Sequence, residues 1–108
     1  MVNMLNIISS LIEIVSSDKR ITSELVDAEV IFVSNTLELM RDSKKISNDA
    51  YLDSGSIQGG LSVISSLLEQ DIQVKEINLL LNTLFERAQI LNSKYPELNK
   101  LIESYRNN

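Results

Sequence analysis

The chain has 108 residues, with ten Lys or Arg against fifteen Asp or Glu, a net charge of −5, and neither cysteine nor histidine. That composition excludes disulfides and thiolate metal sites, and it removes the commonest general base and metal ligand. The acidic balance also disfavours contact with nucleic-acid phosphates and with anionic lipid surfaces.

A single domain spanning 1–108 is the simplest organisation for this length, and folding at this size buries roughly 65% of the unfolded surface. The opening stretch MVNMLNIISSLIEIVSS is apolar but has no basic leader, and Asn3, Asn6, Ser9, Ser10 and Glu13 interrupt it. It therefore does not read as a secretion signal. No run approaches the roughly 18 apolar residues that a membrane span needs, and a cytoplasmic location is expected.

Helical periodicity runs through nearly the whole chain. In the first segment Met4, Ile8, Leu11 and Val15 repeat at 4-3-4 spacing, with Leu5, Ile7, Ile12 and Ile14 beside them. Such spacing gathers apolar side chains on about half of a helix circumference. The segment ends in the polar run Ser16-Ser17-Asp18-Lys19-Arg20.

The second segment, about Thr22 to Arg41, carries two seams. Val26, Val30, Val33, Leu37 and Met40 form one; Leu25, Ala28, Phe32, Asn35 and Leu39 form the other, one residue out of step. Two seams predict a helix that touches more than one neighbour. Arg41-Asp42-Ser43-Lys44-Lys45 then reads as a polar turn with cations near a helix C-terminus.

Ser47 or Asn48 is a candidate cap for the third helix, from about Asn48 to Glu69, with Ile57, Leu61, Ile64 and Leu68 as its core row. All three glycines, Gly55, Gly59 and Gly60, interrupt it, which predicts either a kink or a break near Ser54-Gly55. After Asp71 the fourth segment repeats Val74, Ile77, Leu81, Leu84, Ala88 and Leu91 at 3-4-3-4-3, and the phase continues through Tyr95, Leu98, Ile102 and Tyr105. Because proline suits a first helical turn, a short fifth helix is expected to begin near Pro96, roughly continuing the fourth. With no sustained alternation of period two, the expected fold is all-α: a helical bundle of four main helices and a short C-terminal one.

Few stretches resemble chemistry. Gly55-Ser56-Ile57-Gln58-Gly59-Gly60-Leu61-Ser62 is one residue short of the phosphate-cradling GxxxxGK[ST], with Leu61 where the lysine belongs. That loop also needs a strand to deliver it, and none is expected here. The glycines fit a different pattern: Gly55, Gly59, Ser62 and Ser66 form a stripe of small residues at 4-3-4 spacing. Such a stripe lets another backbone approach closely, with packing inside the monomer favoured over a partner surface.

Ser16 to Lys19 matches SxxK, but the partner motifs SDN and KTG are absent. Residues from Asp71 to Leu80 resemble the first helix of a helix-turn-helix, yet the pattern runs on through NTLFERAQIL without a turn. Carboxylates are the remaining reactive groups, and none falls on the principal seam of the second or fourth segment. Glu24, Asp27 and Glu38 instead share an outer face of the second helix, with Ile31 among them; on the fourth, Leu79 and Ile90 lie three turns apart, pointing away from the core row.

These features point to a small acidic protein that acts by binding another protein, as an inhibitor, immunity, anti-defence or adaptor factor, without catalysis, cofactor or metal. Its candidate contact residues are Ile31, Gly55, Gly59, Ser62, Leu79, Ile90, Glu24 and Asp27. Association with a second copy is part of the same expectation. The alternative is a helical transcriptional or nucleic-acid accessory regulator, dimeric in form.

Overall fold

A computed structural model describes residues 3–17 and 19–106. Five helices follow one another: α1 (Met4–Ser16), α2 (Ser23–Asp42), α3 (Asn48–Leu68), α4 (Val74–Lys94) and α5 (Leu98–Arg106). No strand occurs among the described residues, and the fold is an all-α bundle with a short fifth helix after Pro96.

Each main helix starts where the sequence supplies a cap or a polar turn. The side chains of Asn3, Thr22 and Ser47 accept hydrogen bonds from the backbone N–H groups of Asn6, Leu25 and Ala50. Each bond satisfies one of the donors that a helix N-terminus leaves unpaired. α4 has no such cap; Gln73 precedes it without a side-chain bond.

Helix ends are handled without glycine. After α2, Lys44 adopts a left-handed φ of 59°, and the Lys45 N–H bonds back to the Met40 carbonyl at 2.8 Å. That is a Schellman-type end, with lysine where glycine is usual. Asp71, between α3 and α4, takes a similar φ of 58°.

The rows of apolar residues explain the packing. Met4, Ile8, Leu11 and Val15 of α1, Val26, Val33, Leu37 and Met40 of α2, Ile57, Leu61 and Ile64 of α3, and Ile77, Leu81, Leu84, Ala88 and Leu91 of α4 are all buried in one core. Burying one such side chain contributes roughly 1.5–3 kcal/mol, so these rows drive the assembly. α2 lies along α3, α3 along α4, and α4 along α1. α5 closes one end by packing on α2 and α1, with Leu98 and Ile102 inserted into the core.

Polar contacts fix α5 in place. Buried Asn99 accepts from the Met4 N–H at 3.3 Å and donates to Asn92 at 2.9 Å, while Asn3 donates to Glu103 at 2.6 Å. These bonds, with Leu98 and Ile102 inserted into the core, seat α5 against α1 and α2. The apolar phase survives the proline because Leu98 and Ile102 fill the end of the same core.

Three expectations need correction. α3 runs unbroken through Ser54 and Gly55, so of the two expectations, a kink or a break, the break does not occur; Ser54 Oγ, buried there, donates to the Ala50 carbonyl at 2.6 Å. α2 does touch two neighbours, α3 and α5, but not through its second seam, which is largely uncovered: Leu25, Ala28, Asn35 and Leu39 are exposed and Phe32 is half-buried. Val74, placed in the core row of α4 by its spacing, is exposed because it is the first residue of the helix and lies beyond the packed rows.

Candidate functional site

The core rows of α3 and α4 turn their remaining faces outward side by side. On α3 the residues away from the core include Leu52, Ser56, Gly59 and Val63; on α4 they include Leu79, Leu80, Thr83 and Ile90. Five of these are large apolar side chains left in water: Leu52 (69% exposed), Val63, Leu79, Leu80 and Ile90 (68%). Isolated exposed apolar residues are ordinary on a protein surface, whereas several on one two-helix face form a patch.

The patch has a shape. Between the helices a groove of about 320 Å³ is flanked by Leu52 and Ile90, with Ile57 and Leu91 at its floor and Arg87 on its wall. Its edge is pinned by Asp53, whose Oδ2 accepts from Lys94 Nζ at 2.9 Å and from the Tyr95 hydroxyl at 2.9 Å. The hydrogen bond from Lys94, followed by that from Tyr95, holds the Asp53 carboxyl below its ordinary pKa. The same bond raises Lys94, while Tyr95 is raised first by partial burial and then by its bond to Asp53.

The glycines divide into two roles. A Cβ built on Gly59 or Gly55 meets nothing within 4 Å, so both face open space. A Cβ on Gly60 would overlap the Leu84 side chain, so Gly60 is the position where α3 and α4 approach closely. The small-residue stripe through Gly55, Gly59, Ser62 and Ser66 therefore does not pack inside the monomer. Gly55, Gly59 and Ser66 are exposed and Ser62 is half-buried. The packing glycine is one residue later, turned about 100° toward α4.

The other candidates lie elsewhere. Ile31 is exposed on the outer side of α2, with Glu24 and Glu38 also exposed. Glu24 sits in the first turn of α2, where a carboxylate complements the helix dipole. Asp27 accepts a hydrogen bond from Ser65 of α3, so it ties two helices together. The structure thus brings Gly59, Leu79 and Ile90 to one face and leaves Ile31, Glu24 and Asp27 on another helix.

Leu52, Val63 and Leu80 were missed by sequence reasoning. Their signal was present in the spacing: Leu52 and Val63 are 11 residues apart, as are Leu79 and Ile90. Eleven residues are close to three helical turns and return to the same face.

The stretches resembling known chemistry are also placed. Gly55 to Ser62 lies wholly within α3, so its backbone N–H groups belong to helical hydrogen bonds rather than a phosphate cradle. Of the SxxK stretch, Ser16 and Lys19 are exposed and Asp18 lies outside the described residues. Among the described residues no three acids are grouped so as to hold a metal ion, and no helix is long and apolar enough to cross a membrane.

Compared with known proteins, the chain matches no family, no curated protein and no solved structure.

Proposed function

We propose that this chain works by binding protein through the outer face of α3 and α4, as an inhibitor, immunity, anti-defence or adaptor factor in the cytoplasm, and not as a catalyst. The observation that carries this reading is the gathering of Leu52, Val63, Leu79, Leu80 and Ile90 on one two-helix surface, with open space above Gly59. Apolar side chains around a shallow groove are the usual centre of a protein contact, and desolvating them supplies the affinity. The acidic remainder of the surface keeps nonspecific association down.

Substitution of the face tests the reading. With the tagged chain as bait against lysate of its source, protein retained by the wild type is expected to be lost from Leu79→Glu and Ile90→Glu. Both variants keep the wild-type circular dichroism because neither residue is in the core. Retention unchanged in both folded variants would contradict a binding role for this face. Unfolding of Leu79→Glu would make Leu79 a core residue, against its 62% exposure.

A further inference from the structure

Resting on the proposed binding role of this face, we infer that its occupant is a second copy of the chain, docked antiparallel about a two-fold axis that crosses α3 and α4 at mid-length. Three observations lead there.

The first is spacing. On α3 the exposed pair Leu52 and Val63 are 11 residues apart, and on α4 the pair Leu79 and Ile90 are also 11 apart. At 1.5 Å per residue each pair spans roughly 16 Å along its helix. The midpoint of the first pair falls between Ile57 and Gln58, and that of the second between Leu84 and Phe85. Gly60 lies against Leu84, so the two levels are offset by about two to three residues, roughly 4 Å along the bundle. A two-fold axis lying in the contact plane, perpendicular to the helices and set between those levels, brings Leu52 close to Val63 of the other copy. The same operation brings Leu79 close to Ile90. One axis therefore carries each pair to within roughly 4 Å of direct opposition, inside the reach of these side chains, as an isologous interface requires.

The second is relief. Near the level of the axis α3 is low, with Ser56 and the bare Gly59, while α4 carries Thr83 and Glu86. The apolar groups stand at the two ends of the face. At one end Leu52 and Ile90 flank the groove, and at the other Val63, Leu79 and Leu80 stand out. An antiparallel copy places the raised end of each molecule at the grooved end of the other.

The third is charge and area. The chain carries −5 in all, so most of its surface repels a second copy. On this face, however, Asp53 at the Leu52–Ile90 end is paired with Lys94, and at mid-length Glu86 is followed by Arg87. Two 21-residue helices side by side present about 30 × 20 Å, or roughly 600 Å² per copy. That is about a tenth of the 6489 Å² surface, and the pair buries roughly 1,200 Å², at the lower limit for a stable interface. Interfaces at this lower limit are typical of weak, transient association.

Sedimentation equilibrium tests the inference. The wild type is expected to rise from one chain mass to two as its concentration passes through the micromolar range. Leu52→Glu and Ile90→Glu are expected to stay at one chain mass with unchanged circular dichroism, and Ile31→Glu, on α2, to dimerise as the wild type does. Because the chain lacks cysteine, the register is read by disulfide trapping. Mixed Leu52→Cys and Val63→Cys chains are expected to cross-link, whereas Leu52→Cys alone is not, its two copies being about 16 Å apart.

A wild type that stays at one chain mass up to roughly 1 mM overturns the second copy as occupant. The broader binding role then survives only if the Glu variants still lose a lysate partner. A dimer unaffected by Leu52→Glu and Ile90→Glu overturns the second copy as occupant of this face, and the lysate retention of the same variants decides the broader role. Cross-linking of Leu52→Cys with itself overturns the antiparallel register.

Discussion

Replacing Gly59 and Gly60 by alanine, one at a time, asks the same chemistry of two adjacent positions in one helix and should give opposite answers. Alanine in place of an interior helical glycine gains about 0.8–1 kcal/mol through propensity alone. At Gly59 a new Cβ meets nothing within 4 Å, so the whole gain should appear. At Gly60 the Cβ would overlap the side chain of Leu84, which is 3% exposed and part of the buried core. Overpacking of this kind costs about 1–3 kcal/mol, enough to reverse the propensity gain.

The two variants should therefore differ by about 2 kcal/mol, with Gly59→Ala above the wild type and Gly60→Ala below it. Urea denaturation followed by far-UV circular dichroism measures the difference. Low protein concentration keeps association from contributing. A double variant with Leu84→Ala should lose less than the sum of its parts, since removing the isobutyl group relieves the overlap. If Gly60→Ala proved as stabilising as Gly59→Ala, the close approach of α3 to α4 at this level would be wrong.

Two other sites give independent checks. Lys44 holds a left-handed backbone at the end of α2, a conformation costing a non-glycine residue roughly 1–2 kcal/mol, so Lys44→Gly should raise stability by about 1 kcal/mol in the same urea assay. No gain there would mean that the turn is not held in this conformation. The second check is pH. Asp53 has its folded pKa lowered by Lys94 and Tyr95, so its contribution is present above the usual carboxylate range and is lost as pH falls through the folded value. Lys94 and Tyr95 have raised values, so their contribution is lost as pH rises beyond the usual lysine and tyrosine ranges. Tm measured against pH should accordingly depend less on acid in Asp53→Asn than in the wild type; identical acid limbs would remove Asp53 from the account.

Much of the architecture was legible because core rows and helical period are one signal. Met4, Ile8, Leu11 and Val15, or Ile77, Leu81, Leu84, Ala88 and Leu91, can be buried together only as helices. The cap at Ser47, one of the two candidates offered for α3, was readable from local sequence. What periodicity left open was direction. It placed Leu25 and Leu39 on a second apolar seam of α2, but whether a neighbour covers that seam depends on how the helices are arranged in space, and both residues are exposed.

The glycines show the same limit more sharply. Their spacing with Ser62 and Ser66 marked a stripe, yet a rotation of one residue separates Gly60, packed on Leu84, from Gly59, bare to solvent. No spacing rule distinguishes those two without the position of α4. The exposed apolar face of α3 and α4 was half legible. Leu79 and Ile90 stood out because they departed from a regular row, whereas Leu52 and Val63 were hidden in a helix whose apolar pattern the glycines had already blurred.

The central claim is that the α3–α4 face is covered in solution, and two isoleucines measure it directly. Ile31 on α2 and Ile90 on α4 are exposed to nearly the same degree in one chain, 60% and 68%. Their methyl resonances, recorded with a soluble paramagnetic agent while protein concentration is raised through the micromolar range, report how accessible each one is. The account predicts that Ile90 becomes protected while Ile31 keeps its full relaxation enhancement. Equal enhancement of the two at every concentration would contradict it.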